Sequence, residues 1–252
     1  MEITLIHKGR TYQVRLHQPE DISLPLIAGE HQVCAWYLPP AAMEPVRMGD
    51  WVGEVSSGAG VNFRNVYFNP HGHCTHTETC GHIAAEEFPV VRHFRDFFSF
   101  AQLVSITPEQ RNGDAVISRA QLENACPDPE EALIIRTLPN VAAKKTRNYS
   151  NTNPAYMDAD AAQWLREKGV KHLLIDTPSV DREEDGGKLL SHHAFWNYPE
   201  QPRIDCTITE LVFVPDTTAD GLYFMNLQVA AFMNDAAPSR PLLFTLHPLA
   251  NV

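Results

Sequence analysis

The sequence predicts an α/β protein built around a mixed β-sheet. Two short apolar runs, residues 132–136 (ALIIR) and 170–176 (VKHLLID), have the length and composition of buried strands, and a helical pattern at residues 158–168 lies between them. Further apolar runs at residues 204–214 and 222–230 supply additional strands. Strands that alternate with helices favour parallel pairing, and the remaining runs favour a mixed rather than a purely parallel sheet.

The first twenty residues predict a β-hairpin. Apolar and polar residues alternate on both sides of Lys8-Gly9-Arg10, as in two antiparallel strands joined by a tight turn. We therefore predict an N-terminal β-hairpin extension at residues 1–20 and a main domain at residues 21–252. No repeat, low-complexity tract or Gly/Ser linker divides the main domain, and the nineteen prolines are dispersed along the chain.

Three further elements follow from local patterns. Residues 61–68 (VNFRNVYF) alternate and are rich in β-branched and aromatic residues, which predicts a strand that delivers the histidines after it. Residues 118–121 have the spacing of a capping box and predict the start of a helix. In the helix at residues 158–168, Asp158 can cap the first turn, Ala161, Trp164 and Leu165 form an apolar stripe, and Gly169 can end the helix.

Composition bounds the partners of the protein. A formal net charge of -11 repels phosphate backbones, so we expect small-molecule rather than nucleic-acid partners. No apolar run has the length of a signal peptide or a membrane span, which predicts a cytoplasmic protein with no membrane contact. Five cysteines in a chain of 252 residues argue for reduced thiols rather than a disulfide framework.

The segment at residues 69–82 (NPHGHCTHTETCGH) is the strongest functional signal, because it holds four of the twelve histidines and one acidic residue. In an extended chain, residues two apart share a face, so His76 and Glu78 can present an imidazole and a carboxylate together. This mixed nitrogen and oxygen set suits zinc or manganese. The alternative is an exposed histidine-rich loop that binds metal adventitiously.

This segment resembles the signature HxGTHxDxPxH of the cyclase family of metal-dependent hydrolases, which includes bacterial kynurenine formamidases and isatin hydrolases. Thr75 and His76 match the Thr-His pair, Glu78 stands at the aspartate, and His82 matches the last histidine. The first histidine is displaced, since Gly72 occupies its position and a histidine stands on either side. Cys74 and Cys80 replace the glycine and the proline of the signature.

The resemblance continues in order along residues 21 to 230. Residues 21–26 are similar to the opening strand of the family, residues 160–181 to its helix-strand-loop unit, residues 191–195 to its second histidine motif and residues 207–211 to its final glutamate strand. The resemblance implies a single mixed-sheet domain with the swivelling β/β/α fold of that family.

The resemblance also implies a site with two divalent metal ions, zinc or manganese. Glu78 would bridge both ions, His76 and either His71 or His73 would complete the first site, and His192 and Glu210 would complete the second. We favour His71 over His73, because one extra residue can be absorbed as a bulge at Gly72. His82 stands at the family's acid/base position.

The implied activity is hydrolysis of an amide in the manner of an arylformamidase, on N-formylkynurenine or a related aryl formamide, by a homo-oligomer (dimer or tetramer). A cyclic amide or lactone hydrolase of the same family is one alternative, and a metal- or ligand-binding protein without turnover is another. Cys74 and Cys80 admit three interpretations, as zinc ligands, as a disulfide or as packing residues, of which we favour packing. The carboxylates of Asp176 and Asp181 can orient a ligand histidine or cap a turn.

Overall fold

The computed structural model describes residues 1–249. Its strands are β1 Glu2–His7, β2 Arg10–Arg15, β3 Glu20–Asp21, β4 Ala42–Pro45, β5 Arg47–Met48, β6 Trp51–Val52, β7 Arg64–Tyr67, β8 His76–Glu78, β9 Phe98–Ile106, β10 Glu109–Arg111, β11 Asp114–Ile117, β12 Ala132–Thr137, β13 Tyr156–Met157, β14 His172–Ile175, β15 Thr207–Glu210, β16 Gly221–Val229 and β17 Ala236–Pro248. Its α-helices are α1 Pro70–His73, α2 Val90–His93, α3 Arg119–Ala125, α4 Ala159–Glu167 and α5 Leu190–Trp196, and short 3-10 turns span Val55–Ser57, Cys80–His82 and Ala142–Thr146. Within residues 1–249, no helix is long and apolar enough to cross a membrane.

The predicted mixed α/β sheet is confirmed, and it closes on itself. Strands β9, β12, β14 and β15 are parallel neighbours, β8 runs antiparallel to β15, and β16 runs antiparallel to β9. Strand β17 pairs with β16 along its middle and with β8 at its start. The pairing of β17 with β8, the last strand of the order, closes the strands from β17 to β8 into a barrel-like arrangement.

The closed ring of strands has an apolar layer on each face, because successive side chains of a strand point to opposite sides. In β12, Leu133 and Ile135 pack in the cluster that includes Trp164 and Phe195 of the covering helices. Ala132 and Ile134 of the same strand belong to the other cluster, which includes residues of β9, β14, β16 and β17. All six residues of β12 are buried, which explains why the run at residues 132–136 reads as continuously apolar.

Both predicted helix signals are confirmed in the structure. Ser118 and Gln121 form a reciprocal capping box at the start of α3. Helix α4 begins after Asp158 and ends before Gly169, whose φ of 85° is a left-handed conformation. The side chain of Asp158 makes no capping hydrogen bond and pairs instead with Arg111.

The predicted N-terminal hairpin is formed by β1 and β2. His7 pairs with Arg10, so the turn contains only Lys8 and Gly9, which both have positive φ as a tight hairpin turn requires. Strand β2 pairs in turn with β17, so the hairpin continues the sheet. The division of the chain at residue 20 into an extension and a main domain stays a prediction.

The prediction for residues 61–68 is only partly correct. The strand is shorter, Arg64–Tyr67, and it pairs with β4 in a separate two-stranded sheet. All four of its residues are exposed, and helix α1, which carries His71, follows it after two residues, as predicted. Alternation of side chains specifies a pleated strand, but the packing partner depends on residues far away in the sequence.

Candidate metal centre

Five elements bring the six predicted site residues together. Strand β8 carries His76 and Glu78, the adjacent strand β15 ends at Glu210, and His76 lies directly opposite Glu210 in the register. Helix α1 supplies His71, the 3-10 turn Cys80–His82 supplies His82, and helix α5 supplies His192. We call His71, His76, Glu78, His192 and Glu210 the donor cluster.

Glu78 lies at the centre of the donor cluster and is fully buried. Its Oε1 lies 3.1 Å from His192 Nε2, and its Oε2 lies 3.1 Å from His71 Nδ1. His76 Nε2 lies 3.3 Å from Glu210 Oε2, and His192 Nε2 lies 3.8 Å from Glu210 Oε1. The two oxygens of Glu78 therefore face two different sets of imidazoles, the geometry that a bridging carboxylate needs.

Each donor histidine has an inner ring nitrogen, which faces Glu78 or Glu210, and an outer ring nitrogen, which points away from them. The outer nitrogen of each ring contacts a hydrogen-bond acceptor. His71 Nε2 lies 3.0 Å from Asp235 Oδ2, His76 Nδ1 lies 3.1 Å from the backbone oxygen of Cys74, and His192 Nδ1 lies 2.6 Å from Asp181 Oδ2. Each of these acceptors requires a proton on that nitrogen, so the inner nitrogen of a neutral imidazole carries a lone pair. Three inner lone pairs thus point at carboxylate oxygens.

Lone pairs that face carboxylate oxygens repel unless a cation lies between them. His76 Nε2 and Glu78 Oε2 are buried and have no hydrogen-bond partner, although buried polar groups are normally satisfied. His71, His76 and Glu78 offer ligand atoms within 4.8 Å of one another, as do Glu78, His82 and His192. The residues therefore fit a divalent cation with nitrogen and oxygen ligands, a donor set that both zinc and manganese accept.

The pKa values of His71, His192 and Glu78 also indicate that positive charge stabilises the donor cluster. Burial opposes protonation of His71, but Asp235 and Glu78 outweigh burial and raise its pKa to about 10. Burial likewise opposes protonation of His192, while Asp181 and Glu78 raise its pKa to about 10. Burial alone would raise the pKa of Glu78. The neighbouring histidines, of which His82 has the largest influence, nevertheless hold the pKa of Glu78 well below its usual range. Protons or a metal ion can supply this positive charge.

His82 lies at the rim of the donor cluster. Its side chain is 29% exposed, and its Nδ1 is 3.7 Å from Glu78 Oε2 and 3.4 Å from Asp235 Oδ2. Its ring centroid is 4.4 Å from that of His71. This position is compatible with proton transfer to a bound molecule and also with metal ligation.

His73, the alternative first ligand, points away from the donor cluster. Its Nδ1 accepts a hydrogen bond from the backbone N–H of Asn69, and its Nε2 lies 3.0 Å from the backbone oxygen of Pro39. Both ring nitrogens are therefore engaged in holding the local backbone. Burial, the largest influence, lowers the pKa of His73, so the neutral form is favoured.

The bulge predicted at Gly72 is wrong. The extra residue is absorbed by the helical turn α1, which Asn69 caps by accepting a hydrogen bond from the backbone N–H of His71. Gly72 is needed for close packing, because a Cβ atom there would lie 2.6 Å from Leu38 Cδ1 and 3.1 Å from the backbone oxygen of Ala35. Helical rotation turns His71 toward Glu78 and His73 away from it.

Two acidic residues at the site, Asp181 and Asp235, are not among the predicted site residues. Asp181 accepts hydrogen bonds from the backbone N–H groups of Ser191 and His192 and contacts the ring of His192, so it caps α5 and orients a donor histidine. Asp235 contacts both His71 and His82. The sequence around Asp181 carried an ambiguous signal, and no local pattern marks Asp235.

A pocket of about 290 Å³ opens beside the donor cluster. Its lining combines polar and apolar side chains: Trp36, Leu38, Asn69, His71, His82, Ser179, Leu189 and Glu210. The indole N–H of Trp36 donates to the backbone oxygen of His71, which links the pocket wall to the site. Cys74 and Cys80 are free and buried, and burial raises the pKa of their thiols to about 12 and about 11, as the packing interpretation expects.

Part of the chain is similar in sequence to bacterial kynurenine formamidases. Kynurenine formamidase from Bacillus cereus is 31% identical over 128 residues, which is 50% of this chain and 56% of that protein. Kynurenine formamidase from Bacillus mycoides is 30% identical over the same share of both chains. The chain therefore spans little more than half the length of the curated relatives it matches.

Solved structures share the fold over most of the chain. A predicted metal-dependent hydrolase from Bacillus stearothermophilus superposes with a TM-score of 0.61 at 18% identity and covers 90% of this chain and 98% of its own. Isatin hydrolase A from Labrenzia aggregata superposes with a TM-score of 0.65 at 13% identity and covers 90% and 93%. The family model Cyclase, described as "Putative cyclase", matches residues 17–182, more than half of the chain. The chain belongs to the cyclase family.

Proposed function

We propose that this protein is a metal-dependent amide hydrolase of the arylformamidase type. The observation that carries the proposal is the arrangement of His71, His76 and His192, each of which commits one ring nitrogen to an acceptor and turns the other toward Glu78 or Glu210. The kynurenine formamidase relatives support hydrolysis of an aryl formamide, N-formylkynurenine or a related compound.

In this proposal the site holds two divalent ions, zinc or manganese. His71, His76 and Glu78 would hold the first, and His192, Glu210 and Glu78 would hold the second. When bound, such ions make a nucleophilic water available near neutral pH and polarise a carbonyl group. Glu210 is fixed for this role because its Oε1 also accepts a hydrogen bond from the backbone N–H of Val180.

His82 is the proposed general acid and base. Its Nδ1 is turned toward Asp235 and Glu78, which leaves Nε2 as the nitrogen available for proton transfer at the pocket. A histidine there can take a proton from the attacking water and deliver it to the departing nitrogen of the amide. Partial exposure allows the ring to meet substrate, whereas His76 and His192 are buried.

The pocket suits a small molecule with an apolar portion. A volume of about 290 Å³ is close to the lower limit of ordinary ligand pockets. Trp36, Leu38 and Leu189 supply apolar contact, and the histidines form the polar end. Cytoplasmic location, homo-oligomeric assembly and the lack of nucleic-acid or membrane partners stay predictions from the sequence.

Metal analysis combined with a substrate panel tests the proposal. The purified wild type is expected to bind about two zinc or manganese ions per chain and to hydrolyse aryl formamides in preference to cyclic imides and lactones. The His82→Ala variant should keep its metal and lose ~10²- to 10⁴-fold in kcat, the usual contribution of general acid/base catalysis. A variant of an exposed carboxylate, Glu87→Gln, is the control and should match wild type.

Three outcomes would contradict the proposal in different ways. Metal binding without hydrolysis of any panel member would favour a binding protein. Preferential hydrolysis of a cyclic imide or a lactone would replace the proposed substrate class. Loss of metal from His82→Ala would make His82 a ligand rather than the acid/base residue.

A further inference from the structure

Asp235 enters the site through the pairing that closes the ring of strands. It immediately precedes β17, in which Ala236 lies opposite Glu78 of β8. The backbone oxygen of Asp235 accepts a hydrogen bond of 3.0 Å from the N–H of Thr79. The backbone of Asp235 is therefore fixed relative to Glu78, and its side chain has a defined place beside the donor cluster.

One oxygen of Asp235 contacts two histidines. Oδ2 lies 3.0 Å from His71 Nε2 and 3.4 Å from His82 Nδ1. The two imidazole rings lie side by side, with their centroids 4.4 Å apart and their planes inclined by 33°. A carboxylate accepts hydrogen bonds and donates none, so the hydrogen bond with His71 Nε2 places a proton on that nitrogen, and the nearby carboxylate favours a proton on His82 Nδ1 as well.

This contact fixes which nitrogen of each ring remains free. A proton on His71 Nε2 leaves the lone pair on Nδ1, which faces Glu78 Oε2 at 3.1 Å. A proton on His82 Nδ1 leaves the lone pair on Nε2. Carboxylates that hold the outer nitrogen of a histidine set its tautomer and ring orientation in this way.

We propose that Asp235 is a positioning residue that sets the tautomers of His71 and His82 together through a single carboxylate oxygen. The inference rests on the proposed function for the roles of the two histidines, one as a ligand and one as the acid/base group. It adds a physical link between them, since a change at Asp235 alters both metal binding and proton transfer.

The first test is the nitrogen NMR spectrum of the histidine side chains in the zinc-loaded protein, with signals assigned by His71→Ala and His82→Ala. In wild type, His82 is expected in the Nδ1–H form and His71 in the Nε2–H form. In Asp235→Ala, which removes the acceptor, His82 should lose the Nδ1–H form. In Asp235→Asn, which keeps a neutral acceptor, the change should be smaller.

The second test is zinc affinity measured by calorimetric titration, with kinetics in parallel. Asp235→Ala should bind zinc ~10- to 100-fold more weakly at unchanged stoichiometry, the loss typical of a residue that orients a ligand. The kcat should fall by more than KM rises, because His82 no longer presents the correct nitrogen. Glu87→Ala is the matched control, since Glu87 is an exposed carboxylate that lines the same surface pocket as Asp235 and contacts no histidine of the site.

Several results would overturn the inference. A wild-type His82 in the Nε2–H form would exclude it without any variant. Asp235→Ala with wild-type tautomers and zinc affinity would show that Asp235 is not needed, and fewer zinc ions per chain would show that Asp235 is itself a ligand. If the tautomers are as expected but no substrate is hydrolysed, the positioning role stands and the proposed function fails.

Discussion

Two groups of buried charged residues lie at the carboxyl ends of the parallel strands, and they differ in whether their hydrogen bonds are complete. In the first group, Lys144 donates to Asp176, to the hydroxyl of Thr137 and to the backbone oxygen of Thr137. Asp176 also accepts from the backbone N–H and the hydroxyl of Thr137. We call these three residues the Lys144 group. In the donor cluster, His76 Nε2 and Glu78 Oε2 lack partners.

The difference separates a structural group from a candidate site. In the Lys144 group, the charges of Lys144 and Asp176 are paired with each other. Hydrogen bonds of Asp176 also connect Thr137, at the end of β12, to the residue that follows β14. Four residues of the donor cluster, His76, Glu78, His192 and Glu210, are equally buried, but the cluster is completed only by protons or by a cation from outside the chain. Buried charge by itself therefore does not mark function, whereas unsatisfied buried charge beside a pocket does.

The largest effect is expected from Glu78→Gln, which preserves the shape of the side chain and removes its charge. Both oxygens of Glu78 face donor histidines, so metal binding and activity should fall by more than the ~100-fold typical of a residue that only orients a ligand. Metal content and kcat/KM measure this loss. If Glu78→Gln kept its full metal content, the charge of Glu78 would not be needed for metal binding. The proposed difference between the donor cluster and the Lys144 group would then be contradicted.

A pair of histidines two positions apart provides the next test. His71→Ala should lose metal, because Nδ1 of His71 faces Glu78. His73→Ala should keep metal but destabilise the fold by about 1–3 kcal/mol, because it removes the two part-buried hydrogen bonds that the buried His73 side chain makes with the backbone at Asn69 and Pro39. Metal analysis and urea unfolding distinguish the two variants. The reverse outcome would make His73 the ligand.

For the Lys144 group, the prediction concerns stability instead of activity. Lys144→Met removes the cation beside buried Asp176 and should lower the free energy of unfolding by about 3–5 kcal/mol, with the metal content of the folded protein unchanged. The double variant Lys144→Met/Asp176→Asn should be more stable than the single one, since no unpaired buried charge remains. Urea unfolding of both variants measures the difference. Equal stabilities would show that the ion pair is not the source of the effect.

A separate effect is expected on the pH dependence of stability in the metal-free protein. The folded pKa values of His71 and His192, about 10, lie above the ordinary value of 6.5, so the folded state retains protons that the unfolded chain releases. Their stabilisation is complete below pH 6.5 and is lost as the pH rises toward 10. Unfolding in urea and chelator should show stability that falls between about pH 6.5 and about pH 8.5.

Glu78→Gln serves as the comparison for this pH dependence, because Glu78 contributes to the raised pKa of both histidines. The fall in stability with pH should be smaller in this variant. Thiols and other titrating groups are common to both proteins and cancel in the difference. An unchanged pH dependence would exclude Glu78 as the partner of the two histidines.

Local patterns predicted much of the fold and part of the site. The hairpin at Lys8-Gly9, the capping box at Ser118 and the end of α4 at Gly169 each depend on residues close together in the sequence. His76 and Glu78 lie on one strand, so a period of two placed them on one face. The strand predicted at residues 61–68 is shorter, Arg64–Tyr67, because its length depends on pairing with β4 rather than on local alternation.

By itself, the sequence determined the mixed α/β class, the N-terminal hairpin, helices α3 and α4, the strands near residues 132–136, 170–176, 204–214 and 222–230, and the segment that holds His76, Glu78 and His82. The strands β9 and β17 and the helix α5 were not predicted. Only the tertiary structure decided which of His71 and His73 faces Glu78, because the rotation of the short helix α1 depends on packing of Gly72 against Leu38 and Ala35. It also introduced Asp235, which no motif marks. Pairing of β17 with β8 brings this carboxylate to the site across more than 150 residues of sequence, and such long-range pairing is specified by the whole core rather than by local pattern.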